Sequence, residues 1–274
     1  MKQKQDRLEI ALYKELQAVE KQEKKLEQAA QKAKASVWKA ELENRIPEKV
    51  AVGLESAFCK GFCLVFEQGK AVIEKSYHKE NLQNDHAVLD FAVQRKGSRK
   101  ELKKVHKSAK QANLVNMAVT TVEGIGLGAL GIGMPDVVLF LGMLLKGVYE
   151  TALNYGFDYD SKQEQLLILK MMETALSRGE DWQRRNAEAD ALFDAMSFAI
   201  AEEDFRAQMK ATASVFAADM ILLKFVQGLP VVGAIGGASN LVYYNKVMKY
   251  VQMKYRKRYI LKQFKPTGVR FPAD

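Results

Sequence analysis

The sequence predicts an all-α protein: a multi-helix bundle with a long N-terminal helix and two glycine-rich central helical segments. Three observations carry this expectation. Apolar residues recur at three- and four-residue steps through most of the chain. Good helix formers (Ala, Leu, Lys, Glu, Gln) abound, and there are only five prolines in 274 residues. Turn signals at Gly97-Ser98, Tyr155-Gly156 and "SRGEDW" divide the periodic stretches. A chain of this length can bury a substantial core, in one large domain or two small ones.

Residues 2–44 read as one helix. Leu8, Leu12, Leu16, Val19, Leu26, Ala30, Ala33 and Val37 form an approximate heptad stripe, with Glu23 in the missing step. Such a helix reaches roughly 60 Å. It either pairs with a second copy or lies across the body of its own chain, and the latter is favoured. Asn44 through Pro47 ends it, because the residue before a proline resists the α region. A second helix spans 48–66 and buries Val50, Leu54, Ala57, Phe58, Phe62 and Val65. Residues 70–94 add further helix before the Gly97-Ser98 break, and a basic helix follows. Asp160 or Ser161 caps the next helix, with Glu164 at the capping-box position relative to Ser161. Residues 182–210 and 211–226 are again helical in composition. The organisation is then an amphipathic helix over 1–46, a helical domain over 47–262, and a tail over 263–274.

The stretch "GIGLGALGIGMPDVVLFLGMLLKG", residues 124–147, holds seven glycines, one proline and one acid. It contains the string G-x-G-x-x-G at Gly126, Gly128 and Gly131. A dinucleotide site needs that string between a strand and a helix, with an acid ending the next strand. Here the acid at that distance is Glu150, inside a continuing helix, and no alternating strand–helix units follow. No cofactor is therefore expected. Between Glu123 and Lys146 the only charge is Asp136, and residues 225–245 carry none. Both segments have the length of a bilayer span. Asp136 and the many glycines weigh against that, and small residues at four-residue spacing also suit close-packed helices in a core. Buried core is favoured, with interfacial insertion and a true span as the alternatives. A faint echo links Gly133, Pro135, Gly142 and Tyr149 to Gly228, Pro230, Gly237 and Tyr244 at a constant offset.

The formal net charge is +9 and it is concentrated in two runs. Residues 95–110 carry eight Lys or Arg against one Glu, and residues 239–274 carry nine against one Asp. Such patches favour an anionic surface as partner. In the second run Lys249, Lys254, Tyr255, Arg256, Lys257, Arg258 and Tyr259 suit a basic amphipathic helix at a membrane surface. The competing reading is the final helix of a bundle, its lysine stems covering the core. No nucleic-acid-binding signature accompanies the basic runs, so nucleic acid is not the expected partner.

Signals for catalysis are sparse. The three histidines, His78, His86 and His106, form no recognised ligand motif, and no metal is expected. Cys59 and Cys63 are too few for a disulfide framework, which fits reducing, cytoplasmic surroundings. "MKQKQDRLEI" is followed by no apolar h-region, so no secretory signal is expected. Asp136 and Asp219 are the unusual acids, each in an apolar neighbourhood. A buried acid has to be paired, hydrogen-bonded or neutral. Asp136, just after Pro135, suits a helix start. The other reading is a buried polar cluster of Asp136, Lys146, Asp219, Lys224 and Asn240.

Three stretches resemble the EcsC protein family: "GIGMPDVVLFLGMLLKGVYETALNYGFD", "QGLPVVGAIGGASNLVYYNKV" and the closing "YRKRYIL". The resemblance covers roughly residues 50–262. Asp136, Tyr155-Gly156-Phe157 and Asn240 fall where the family has similar residues. It implies an all-helical protein near the cytoplasmic face of a membrane, associated with envelope or transport functions. It supplies no reaction, substrate or cofactor. The expected function is non-enzymatic association with the cytoplasmic membrane surface or a membrane-transport complex. The alternatives are a cytosolic interaction module that self-associates through residues 2–44, or an enzyme with a pocket near Asp136 and Asn240.

Overall fold

The computed structural model describes residues 2–34, 48–119, 135–193, 199–226 and 238–264. These residues form helices α1 (Lys2–Lys34), α2 (Glu48–Leu64), α3 (Lys70–Glu74), α4 (Lys79–Lys96), α5 (Arg99–Val119), α6 (Pro135–Asn154), α7 (Lys162–Leu176), α8 (Gly179–Ala191), α9 (Glu202–Val226) and α10 (Ala238–Phe264). A π-helical turn, Val65–Gly69, joins α2 to α3. Among the described residues there is no strand, and the all-α bundle stands. The later part of the expected N-terminal helix, the G-x-G-x-x-G string, residues 227–237 and the tail from 265 lie outside the described residues, as do the side chains of Asp136, Lys224 and Asn240.

Two helices form the centre. α6 packs against α2, α3, α4, α5 and α10, while α10 packs against α1, α5, α6 and α7. α9 lies on α2 and α7, and α8 lies between α1 and α7. The core follows the expected spacing. Leu8, Leu12, Leu16 and Val19 of α1 are buried, as are Ala57, Phe58 and Phe62 of α2, while Leu26, Val50 and Leu54 are only half-buried. Phe58, Phe62 and Phe140 surround Phe216 at centroid distances of 5.4, 5.6 and 6.4 Å. The α2–α6 approach is close at Gly61, where a Cβ would stand 2.9 Å from Leu141 Cδ1. The second helix ends earlier than expected, at Leu64, because the π-helical turn intervenes. Val65 and Ile73 both remain buried across it.

Helix ends account for the turns. Gly97 (φ 57°) closes α4, its amide donating to the Val93 carbonyl at 2.8 Å. At the end of α6, the Phe157 amide donates to Ala152 O and the Gly156 amide to Leu153 O, each at 2.9 Å. This is a Schellman closure, which requires a left-handed residue at Gly156 (φ 73°). Ser161 caps α7, its Oγ accepting from the Glu164 amide at 3.2 Å. The Glu164 side chain does not complete a capping box; it turns into the core to meet α10.

Among the described residues one helical window, Val137–Asn154, is long and apolar enough to cross a membrane. Most of it is buried by neighbouring helices, as expected of a core helix.

Candidate functional site

The two basic runs have opposite fates. α10 is enclosed, and its cations answer carboxylates from distant helices. Lys254, 0% exposed, donates to Glu23 Oε1 at 2.7 Å and to Asp190 Oδ1 at 2.6 Å. Lys257 bridges the other oxygens of the same two acids, each at 2.8 Å. Asn186 Nδ2 also donates to Glu23, at 3.0 Å. Burial raises the Glu23 pKa, but Lys254 and Lys257 outweigh it and hold the carboxyl at about 2. Glu15, 1% exposed, is shared by Arg256 and Arg99. Burial raises its pKa too, and the two guanidiniums bring it below the usual value. Arg258 Nη1 donates to both oxygens of Glu164 at 2.8 Å, and the Tyr255 hydroxyl donates to Oε1 at 2.8 Å. Phe157 covers the Arg258 guanidinium at 4.1 Å. Tyr259 donates to Asp90 Oδ1 at 2.7 Å.

This placement corrects the expectation of a membrane-facing basic helix over residues 249–259. Lys254, Tyr255, Arg258 and Tyr259 are buried, Arg256 and Lys257 are half-buried in ion pairs, and only Lys249 is exposed. The physical reason is neutralisation: Glu15, Glu23, Glu164 and Asp190 make burial of these cations tolerable.

The first basic run remains outside. On α5, Leu102, Val105 and Ala109 face the core. Lys100, Lys103, Lys107 and Lys110, spaced three and four residues apart, form the opposite, exposed stripe. On the adjoining α4, Val88 (69% exposed), Phe91 (67%) and Arg95 form an outward stripe of their own. Asp85, one turn before Val88, is exposed, while the next two acids, Asp90 and Glu101, are engaged. Asp90 serves Tyr259 and Gln263, and buried Glu101 serves Lys96 and Lys104. Among the described residues Arg95, Lys103, Lys107 and Lys110 form no salt bridge, and Lys100 acts on Glu101 only by its charge. α1 packs on both α4 and α5, and Ile10 and Tyr13 are its exposed apolar residues.

Of the expected buried polar cluster, Asp219 and Lys146 are described, and both are buried. Asp219 is held by Arg178 and by Lys246 at 3.1 Å. Sequence reasoning did not single out Arg178, although its position in "SRGEDW" beside the left-handed Gly179 marks it as a turn residue. Among the described residues no group of three or more potential ligands could hold a metal. His106 Nδ1 lies 2.7 Å from the Tyr155 hydroxyl, and His86 Nδ1 lies 3.0 Å from the Asn154 carbonyl. Cys63 Sγ approaches Met209 Sδ at 3.3 Å.

A second polar knot surrounds Tyr159. Its hydroxyl donates to Glu74 Oε1 at 2.8 Å and also meets the Tyr77 hydroxyl, while its ring stacks on Tyr149 at 4.0 Å. Lys70 and Lys79 hold Asp160 beside it. Burial raises the Asp160 pKa, but these two ammoniums bring the carboxyl down to about 2. The charges of this knot are answered within it.

Among the described residues, the fold and these clusters define an all-helical bundle with an internal charge layer and an exposed basic stripe on α5. The chain belongs to the EcsC protein family, whose model matches residues 11–260. No curated protein and no solved structure matches it. The family span begins well before the 50–262 expected from the resemblance and takes in most of α1. In this chain Glu15 and Glu23 of α1 supply countercharges to α10.

Proposed function

We propose that this EcsC family protein is a non-enzymatic, peripheral component of the cytoplasmic membrane surface, which docks on anionic lipid through the α4–α5 face. One observation carries the reading: the exposed stripe of Lys100, Lys103, Lys107 and Lys110 lies on the helix next to exposed Val88, Phe91 and Arg95, and five cations there outnumber the one exposed acid, Asp85, a turn before Val88. Each cation near an anionic leaflet contributes about 1 kcal/mol, so five of them supply a useful attraction at low salt. Val88 and Phe91 add apolar insertion at the headgroup boundary. The burial of α6 supports surface contact over spanning by that helix.

Flotation with phosphatidylserine-containing and pure phosphatidylcholine vesicles tests this. Binding is expected only with anionic vesicles, weakening with salt and with Lys103→Gln/Lys107→Gln/Lys110→Gln. Absence of lipid-dependent binding at low salt overturns it.

A membrane-transport complex is the alternative partner, and exposed Val88 and Phe91 are the residues that favour it. Self-association through α1 has less support, because the stripe Leu8–Val19 faces its own chain and leaves Ile10 and Tyr13 outside.

A further inference from the structure

A cavity of about 370 Å³ opens where α1, α7, α8 and α10 meet. Its floor is apolar and fixed. Trp182 and Tyr250, both buried, meet edge-on at 5.9 Å, and the Tyr250 hydroxyl donates to Asn186 Oδ1 at 2.7 Å. Leu26 of α1 supplies a further apolar wall. The opposite character appears at the rim, where Arg178, Lys246 and Lys249 converge and no described lining residue is acidic. Asp219 lines a smaller neighbouring cavity, and from there it holds Arg178 and Lys246. Three cations against one carboxylate leave the rim positive while two of the cations are held in place. Such a site, apolar in its depth and charged at its mouth, selects a ligand of the same division.

We propose that this cavity binds a medium-chain carboxylate, with its hydrocarbon chain against Trp182 and Tyr250 and its carboxylate among Arg178, Lys246 and Lys249. The size agrees. A space of about 370 Å³ falls at the small end of the range for small-ligand sites, which suits a short or medium chain. The charge agrees as well, since an anion at the rim forms charge-assisted hydrogen bonds that a neutral alcohol cannot match. This site is separate from the α4–α5 face, and it stands whether or not that face meets a membrane.

The chain has two tryptophans, so a Trp38→Phe background leaves Trp182 as sole reporter. Equilibrium dialysis with labelled decanoate, followed in parallel by Trp182 emission, tests the site. One equivalent bound per chain is expected. Lys246→Gln/Lys249→Gln, placed at the rim and not in the floor, is expected to weaken binding by about tenfold or more, as loss of charge-assisted bonds requires. Decanol should bind far more weakly, and acetate, which has the charge without the chain, should not compete. Lys103→Gln/Lys107→Gln, which alters the proposed membrane face, should leave decanoate binding unchanged. The proposal is overturned by absence of binding, by equal affinity for decanol, by competition from acetate, by unchanged affinity in the rim variant, or by loss in the α5 variant.

Discussion

Glu23 of α1 and Lys254 of α10, 231 residues apart in sequence, meet at 2.7 Å within the fold, and the lysine is wholly enclosed. The heptad stripe of α1 lacks an apolar residue at Glu23 because that position answers a buried cation. The two members are not equivalent. Burial pulls the Lys254 pKa down, against the attraction of Glu23 and Asp190. Removing Glu23 leaves that enclosed cation to Asp190. Removing Lys254 takes away the most desolvated charge and leaves both acids to Lys257. Glu23→Ala is expected to cost about 3 kcal/mol, the scale for breaking one side of a buried pair. The volume-conserving Lys254→Met should cost clearly less. Urea denaturation at neutral pH gives both values, and a Lys254→Met loss equal to or above that of Glu23→Ala would refute this account.

Acid sensitivity should come in two windows. Burial lowers the His106 pKa from 6.5 to about 4, and the charge of Arg256 adds to it. The unfolded imidazole therefore takes its proton before the folded one. Stability from this group is complete above about 6.5 and falls as pH drops toward 4, a loss of about 2 kcal/mol between pH 7 and pH 5. His86 is shifted in the same direction, burial again leading. Glu23, depressed from 4.5 to about 2, contributes stability that is lost only across that lower interval. Denaturation midpoints measured from pH 7 to pH 3 should show the first slope reduced in His106→Gln and the second reduced in Glu23→Gln. A His106→Gln profile parallel to wild type above pH 5 would remove the assignment.

Gly156 joins backbone geometry to packing. Its φ of 73° belongs to the left-handed region, and an added Cβ would stand 2.1 Å from His86 Nε2. Gly156→Ala is expected to destabilise by about 2 kcal/mol or more, combining left-handed strain with displacement of the ring. A double variant with His86→Ala should recover the steric part alone, leaving about 1 kcal/mol or more of backbone cost in a double-mutant cycle. Full recovery in that cycle, or a neutral Gly156→Ala, contradicts the division.

The features legible in the sequence are those determined within one or two turns of chain. The stripe Leu8–Val19, the break at Gly97, the left-handed Gly156 and the Ser161 cap each depend on neighbours close in sequence. The fate of the cations does not. Lys100–Lys110 and Lys249–Arg258 look alike as strings, yet one series is a surface stripe and the other is mostly an interior layer. The difference lies in Glu15, Glu23 and Glu164, which arrive from helices 94 to 241 residues away. A local reading sees the charge on α10 and cannot see what neutralises it. Asp219 illustrates the same limit: its unusual setting was visible, but its partner Arg178 is brought to it only by tertiary packing.

Tyr149 offers the reverse case, a polar group buried without compensation. Its ring lies flat on Tyr159, centroids 4.0 Å apart and planes 12° from parallel. Its hydroxyl is buried and has no hydrogen-bond partner among the described residues, while the neighbouring Tyr159 hydroxyl is engaged with Glu74 and Tyr77. Burial raises the pKa of the phenol far above its ordinary value, so it stays neutral. Leaving such a donor unsatisfied costs about 1–3 kcal/mol, and Phe retains the stack and the apolar surface without that cost. Tyr149→Phe is therefore expected to raise stability by about 1 kcal/mol, whereas Tyr149→Ala should lower it by about 3 kcal/mol or more through lost packing. Thermal and urea denaturation of the two variants separate hydroxyl from ring. A destabilised Tyr149→Phe would mean that the hydroxyl has a hydrogen-bond partner in solution and would overturn this account.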